Sequence, residues 1–403
     1  MSSSLSQRLA WPDVAKGISI LGVVLLHVTL VVPEAQDTWL AAFNMWLDPL
    51  RLPLFFLVSG YFSQKVFRFS FAELVTRRLW YFFVPYVVWM LIEQQTKRVE
   101  YHWVFGDPIF DPNQMLASLL VGHSMAWFLY VLILFNLFLW CVRTLPGWLG
   151  FLLSFFPIVF MAWQAEFQSI AKAVMFLPVF VAAAYFRDAI AAFADALEAP
   201  FRGRWGQRAF WAYSGMMVAY AVGFFIRRAW DQRANPVEVA WPLPGAEVLA
   251  DHDLHILVRM VEQFFEVPVG IAVAVAVSYI PAVSTGLRFI GAHTLPIYLG
   301  HPIGLTVLYG FPMALYPRDV SLTGQWPLDN TWFWLSMCVV YAGLASLTLW
   351  ALGKIPVVGW SLKPPALGRR QAEPIEPLEN QTAEATSSIC LLYTSPSPRD
   401  RQK

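Results

Sequence analysis

The chain has 403 residues, of which 58% are apolar and only 14% are charged, and its net charge is +1. Soluble domains are about 45–50% apolar and about 25% charged. This composition excludes a disordered chain and an ordinary cytosolic enzyme, and the near-neutral charge offers no basic surface for nucleic acid. Most of the chain is therefore expected to lie in a lipid bilayer.

Ten apolar segments approach the length of about 20 residues that a helix needs to cross a bilayer. They cover residues 14–32, 50–66, 79–93, 124–142, 148–163, 169–187, 209–227, 256–280, 287–311 and 331–352. Open sheets do not occur in lipid, so the predicted fold is all-α, a polytopic membrane bundle of about ten transmembrane helices. With ten spans, the cytoplasmic segments hold more than twice as many Lys and Arg as the outer ones, which predicts that both termini are cytoplasmic.

The domain organisation follows from a change in composition near the end of the chain. Residues 8–355 are predicted to form one integral membrane domain. Residues 364–403 are rich in Pro, Glu, Ser and Thr and are expected to be a disordered tail. Its last 15 or so residues, ICLLYTSPSPRDRQK, resemble a non-native translated scar and are left out of functional reasoning. No Cys or His spacing is typical of a metal site, so no metal is expected.

The first segment contains three ionisable residues, Asp13, Lys16 and His27. At about 100° per residue they fall on one side of a helix, with His27 roughly 16 Å beyond Lys16. Ionisable groups inside a membrane are functional candidates, and a neutral imidazole accepts a proton near pH 7. We therefore interpret His27 as a candidate general base, and Asp13 and Lys16 as donor- or substrate-binding residues near the inner surface. The structural alternative is a His that is hydrogen-bonded to a neighbouring helix.

Further candidates lie in the second and third segments. Arg51 stands at the outer end of the second segment, and Ser59 and Gly60 interrupt its apolar run. Small residues at such a position also serve ordinary helix packing. Arg77 and Arg78 begin the third segment, where a basic pair could bind a phosphate-bearing donor or merely flank the membrane on the positive side.

The ninth segment contains two histidines, His293 and His301, together with Pro296 and Pro302. Eight residues separate the histidines, about 80° beyond two helical turns, so they need not share a site. His293 is interpreted as an interfacial residue, whereas His301 lies deeper and could either bind substrate or be structural. Three charged residues spaced three and four apart are predicted to form a self-neutralising structural cluster: Arg259, Glu262 and Glu266.

Five motifs occur along these segments in a fixed order. They read DVAKGISILGVVLLH, RLPLFFLVSGYF, RRLWYFFVPY, AWFLYVLILFN and HTLPIYLGHP. In this order they resemble the membrane acyltransferase-3 family, and most closely its fucose 4-O-acetylase and glucan-modifying branch. The resemblance covers residues 8–355.

The resemblance implies an O-acyltransferase of the bacterial inner membrane. Such enzymes transfer an acyl group, usually acetyl from acetyl-CoA as co-substrate, to a hydroxyl of a sugar or cell-envelope glycan, and no tightly bound cofactor is expected. His27 is implied as the catalytic His, paired with the basic Lys16 of the family hallmark. The other implied donor- or substrate-binding positions are Arg51, Ser59, Gly60, Arg77, Arg78 and His301. One difference is that Leu79 to Val84 contains no Arg, where many members have one.

Two rival interpretations remain open at this point. A glycan or lipid transporter could use the polar side of the first segment as its path. A structural protein would tolerate apolar replacements of Lys16 and His27 without functional cost.

Overall fold

The computed structural model describes residues 10–316 and 326–367. The first half of these residues contains eight α-helices: α1 (Trp11–Val31), α2 (Trp39–Trp46), α3 (Asp48–Tyr61), α4 (Phe71–Leu74), α5 (Trp80–Phe105), α6 (Pro112–Val121), α7 (Trp127–Cys141) and α8 (Gly147–Leu153). The second half of the described residues contains eight more: α9 (Gln168–Tyr185), α10 (Arg187–Glu198), α11 (Gln207–Asp231), α12 (Asp251–Ser278), α13 (Pro281–Ala292), α14 (Thr294–Leu305), α15 (Phe311–Leu315) and α16 (Thr331–Leu352).

Short irregular elements connect these helices. Two π-helical segments, Val75–Leu79 and Thr306–Gly310, continue into α5 and α15. Five 3₁₀ helices are also present in the described residues: Ala35–Asp37, Gln64–Arg68, Phe156–Trp163, Pro200–Arg202 and Val358–Ser361. The described strands, β1 (Val239–Ala240) and β2 (Val248–Leu249), form one antiparallel pair. The predicted all-helical class is confirmed.

Helices occupy all ten predicted segments. Five of them, α1, α9, α11, α12 and α16, are long and apolar enough to cross a membrane by length and composition. The count of ten spans and the cytoplasmic location of both termini stay predictions. The ninth segment is not one helix, because α13 ends at Ala292 and α14 begins at Thr294, with His293 between them. The fifth divides into α8 and the 3₁₀ helix Phe156–Trp163, in which Pro157 stands near the start.

The outer surface of the bundle is apolar. On α11, for example, Val218 and Phe225 are each 64% exposed. Water would penalise such a surface, whereas lipid tails solvate it. The helical bundle is therefore that of an integral membrane protein.

The centre of the bundle is formed by α1, α3, α9 and α12, in the compact unit that the described residues up to Ala366 form. Trp11 at the start of α1 is fully buried and packs edge-on against Tyr61 at the end of α3. Ser19 on α1 donates a hydrogen bond to the carbonyl oxygen of Leu50, 3.0 Å away. These contacts fix α1 beside α3. The predicted tail, residues 364–403, lies outside the described residues from residue 368 onward.

Close packing of α14 against α16 sets the rotation of α14. A Cβ atom at Gly300 would lie 2.9 Å from the Cα of Ser346, and one at Gly304 would lie 2.6 Å from the Cβ of Ala345. Small residues spaced four apart allow such close approach of two membrane helices. Gly300 and Gly304 face α16. One residue further along the helix is a turn of about 100°, so the side chain of His301 points away from α16 and toward α1.

Candidate active site

Two histidines from distant parts of the chain meet inside the bundle. The Nε2 atom of His301 lies 3.0 Å from the Nδ1 atom of His27, and the ring centroids are 4.9 Å apart. His27 stands one turn before the end of α1, and His301 stands in the middle of α14. His301 is only 1% exposed, whereas His27 is partly exposed. The structure thus brings together two of the residues that the sequence singles out.

Backbone carbonyls determine which ring nitrogen of each His carries hydrogen. The Nδ1 of His301 lies 2.8 Å from the carbonyl oxygen of Ile297. A carbonyl oxygen only accepts, so this Nδ1 donates, and the Nε2 of a neutral His301 is left as an acceptor. The Nδ1 of His27, which lies 3.0 Å from the Val23 carbonyl oxygen as well as near His301, must then donate. Its Nε2 is therefore the unprotonated, basic nitrogen of the pair.

A cavity of about 510 Å³ opens beside His27. Its walls come from the end of α1, the second half of α5, and the segment from α14 to Tyr316. Pro302 and Thr306 line the cavity. His301 contacts His27 but does not itself line the cavity. Among the described residues, the Nε2 of His27 has no hydrogen-bond partner, so it is available to a molecule in this cavity.

Arg51 lies next to α1 because Gly22 has no side chain. A Cβ at Gly22 would lie 2.7 Å from the Cγ of Arg51. The guanidinium binds Asp48 on its own helix. Its Nη1 is buried and has no hydrogen-bond partner within the described residues. Arg51 therefore retains a donor in the region of His27, although it does not line the cavity.

Asp48 also binds Arg259 of α12, which connects Arg51 to a buried charge network. Arg259 lies 3.4 Å from Glu262, and Glu262 lies 3.1 Å from Arg227 of α11. Of the cluster that the spacing on α12 predicts, Arg259 and Glu262 do pair, but they also pair with Asp48 and Arg227 on two other helices, so the cluster does not neutralise itself within α12.

Asp13 and Lys16 lie at the opposite end of α1 from His27. The Lys16 ammonium is 2.9 Å from the Asp13 carboxylate, and Asp13 is 5% exposed. A Cβ at Gly291 would overlap the Asp13 carbonyl oxygen, so α13 packs closely here. About 16 Å of helix separates Lys16 from His27, so the two cannot contact one reacting atom together.

Ser59 and Gly60 face helices rather than the cavity. The Ser59 hydroxyl donates to the carbonyl oxygen of Phe55, 2.8 Å away. A Cβ at Gly60 would overlap the carbonyl oxygen of Phe180 on α9 and lie 3.0 Å from the Cβ of Ala183. Helix packing accounts for Gly60 in this position.

Arg77 and Arg78 occupy the π-helical segment Val75–Leu79 but have different surroundings. The Arg78 guanidinium donates to the Ser63 hydroxyl at 2.8 Å and to the buried Asn136 at 3.2 Å. The Arg77 side chain is 64% exposed and lies 3.2 Å from Glu73. Arg78 is therefore held by the bundle, whereas Arg77 reaches solvent.

A capping box begins α4, the short helix that leads directly into the π-helical segment Val75–Leu79. The Glu73 backbone donates to the Ser70 hydroxyl, and the Ser70 backbone donates to the Glu73 carboxylate. The hydrogen bonds from Ser70, followed by the charge of Arg77, hold the pKa of Glu73 below its usual range. A charged Glu73 therefore stabilises the start of α4 and pairs with Arg77.

Sequence reasoning missed the α5 side of the cavity. Lys97 and Glu100, whose charged atoms are 2.7 Å apart, line it together with Trp103. Their spacing of three residues is common on exposed helices, so the only signal available was a charged pair in the extension of an apolar segment.

The fold and the histidine pair define an integral membrane protein with a candidate catalytic cavity inside an all-helical bundle. A family model, described as an acyltransferase domain, matches residues 9–350. The chain therefore belongs to the acyltransferase-3 family and is a membrane acyltransferase, and this membership does not favour the transporter alternative. No curated protein and no solved structure matches the chain.

Proposed function

We propose that the protein transfers an acyl group, most simply acetyl, from acyl-CoA to a hydroxyl of a sugar or cell-envelope glycan in the bacterial inner membrane. The observation that carries this proposal is the His27–His301 pair beside the cavity. A general base must reach the proton that it removes and must itself be unprotonated. The contact between the two rings leaves the Nε2 of a neutral His27 without a hydrogen, and the cavity beside His27 offers space for the acceptor hydroxyl, which supports this role.

The reaction follows from the position of the basic nitrogen. The Nε2 of His27 removes the proton of the acceptor hydroxyl while that oxygen attacks the thioester carbon. As the tetrahedral intermediate collapses, the C–S bond breaks, and the imidazolium returns its proton to the leaving CoA thiolate. His301 accepts the hydrogen bond from the Nδ1 of His27 throughout, which stabilises the imidazolium as it forms.

Arg51 supports the step in which negative charge develops on the carbonyl oxygen. Its buried Nη1 donor is not satisfied by another described residue, and its side chain packs against α1 at Gly22, on the same helix as His27. A preoriented donor in a site of low dielectric stabilises an oxyanion strongly. We assign Arg51 this role, or the binding of the acceptor.

The exposed Arg77 is the better candidate for contact with the nucleotide end of the donor. A guanidinium binds phosphate in a bidentate manner, and within the described residues this one pairs only with the solvent-exposed carboxylate of Glu73. We assign Asp13 and Lys16 to the same inner end, where a basic group could contact the donor as well.

The test is transfer of label from isotopically labelled acetyl-CoA to candidate glycans by the purified full-length protein in nanodiscs. Label in the glycan, dependent on both substrates, is the expected result. Movement of glycan across a sealed vesicle without any acyl donor, combined with no labelled product, would instead support a transporter.

A further inference from the structure

The α5 wall of the cavity has the composition of a binding site for a hydroxyl-rich ring. Lys97, Glu100, Trp103 and Val104 line the cavity and lie within two turns of α5. This part of α5 packs against the segment that follows His301, so the two together form one side of the cavity. Apolar and aromatic walls with a few placed polar groups are typical of small-molecule sites.

The ion pair on this wall leaves hydrogen-bonding capacity toward the cavity. The Lys97 ammonium lies 2.7 Å from the Oε2 of Glu100, and the two side chains are 28% and 17% exposed. An ammonium has three donors and a carboxylate has about four acceptor sites, so one mutual bond uses a small part of them. Donor and acceptor atoms side by side match the two roles of a hydroxyl group.

Gly310 leaves room for the Glu100 carboxylate. A Cβ at Gly310 would overlap the Oε1 of Glu100 and lie 2.9 Å from its Cδ. The carboxylate therefore rests against the bare backbone of the π-helical segment Thr306–Gly310. Such π-helical turns often occur at functional sites.

Trp103 supplies an aromatic face next to the ion pair. It is 40% exposed and packs edge-to-face against Phe311, with ring centroids 4.8 Å apart. This contact fixes the indole plane while leaving part of the ring open. A pyranose ring has an apolar C–H face and a hydroxyl edge, which fit an aromatic surface and a polar pair respectively.

The charges on the cavity wall indicate a neutral occupant. Lys97 and Glu100 cancel each other, and no other acidic residue, Lys or Arg lines this cavity in the described part of the chain. A ring with its own carboxylate would place that charge near Glu100 without a further cation to balance it.

We propose that Lys97, Glu100 and Trp103 form the acceptor subsite, and that it binds an uncharged, polyhydroxylated sugar ring with one hydroxyl directed to His27. This inference rests on the proposed function, since it identifies the acceptor side of the same cavity. Lys97 and Glu100 are positioning and specificity residues, because the proton transfer itself occurs at His27.

Saturation-transfer NMR on the full-length protein in nanodiscs tests the subsite apart from chemistry. The probes are neutral methyl hexosides and the corresponding methyl hexuronides. We expect hexoside signals with wild type and with His27→Ala, and weaker or no signals with Glu100→Gln, Lys97→Gln and Trp103→Ala. Trp148→Ala removes an aromatic side chain that is 65% exposed and lies outside the cavity, so it serves as the matched control.

Kinetics supply the second readout. Glu100→Gln is expected to raise the KM of the hexoside about tenfold, with the KM of acetyl-CoA unchanged, because only the acceptor loses a charged hydrogen-bond partner. Wild-type signals that persist in both Glu100→Gln and Lys97→Gln, hexuronides that bind better than hexosides, or no hexoside binding at all would each overturn the subsite. Normal binding without any acetyl transfer would overturn the proposed function and leave the subsite intact.

Discussion

His27 and His301 are 274 positions apart in the chain, yet the Nδ1 of one lies 3.0 Å from the Nε2 of the other. The Nδ1 of His301 donates a hydrogen bond to the carbonyl oxygen of Ile297. The orientation of the His27 ring and the identity of its basic nitrogen follow from this contact together with that of its Nδ1 with the Val23 carbonyl oxygen. Two replacements at position 301 can therefore distinguish a role of His301 in positioning the His27 ring from a role in maintaining the fold.

Replacement of His301 by Ala is expected to lower kcat by about 10²-fold, since the Nδ1 hydrogen of His27 loses one of its two acceptors and keeps only the Val23 carbonyl oxygen. His301→Gln should restore part of the activity, because its side-chain oxygen can accept the same hydrogen bond. The measurement is kcat across pH for both variants. A purely structural role would give equal losses and unchanged pH profiles.

His27→Ala removes the base itself and is expected to lower acyl transfer by about 10²–10⁴-fold without loss of the folded protein. Labelled acetyl transfer and thermal unfolding in detergent are measured together. Transfer at the wild-type rate by the His27→Ala protein would refute the proposed mechanism.

Gly60 and Gly215 form a matched pair for the packing of α3. Gly60→Ala would bring a methyl group into the backbone of α9 and should destabilise the protein by about 1–3 kcal/mol. Gly215→Ala, on α11, meets open space and should be neutral or stabilising by about 0.5–1 kcal/mol. Thermal unfolding of both variants gives the sign of each change in stability. Equal shifts in the unfolding temperature would show that Gly60 is not at a tight contact.

Asp48 is the shared partner of Arg51 and Arg259, so its loss removes the carboxylate of Arg51 and leaves Arg259 paired with Glu262 only, among the described residues. Asp48→Asn is expected to cost about 3–5 kcal/mol of stability, because it breaks a largely buried pair on one side only. Asp231→Asn removes the more exposed carboxylate that pairs with Arg227 and serves as the control. Comparable unfolding temperatures for the two variants would argue against the network as a stabilising element.

Arg77 and Arg78 differ in what they contact, which predicts different effects of replacement. Arg78→Ala leaves the Oδ1 of the buried Asn136 without the donor that Arg78 supplies and should destabilise the protein by about 1–3 kcal/mol. Arg77→Ala should leave stability unchanged and raise the KM of acetyl-CoA several-fold, if the exposed guanidinium binds the donor phosphates. Unfolding and donor KM are measured on both proteins. An unchanged donor KM in Arg77→Ala would remove Arg77 from the donor site.

The sequence by itself determined the membrane class, the helical segments and the family. These follow from local properties: apolar runs of sufficient length, the composition, and five short motifs in order. It also placed Asp13, Lys16 and His27 on one side of α1, because a helical period fixes the direction of each side chain along one helix.

Only the tertiary structure decided which side chains meet. The eight-residue spacing of His293 and His301 contains no information about α1, and the contact of His301 with His27 depends on the packing of Gly300 and Gly304 against α16. In the same way, Lys97 and Glu100 look like an ordinary helical ion pair until Gly310 brings the backbone of another helix against the carboxylate. Contacts between distant segments are set by the packing of whole helices, and no local pattern along the chain specifies that packing.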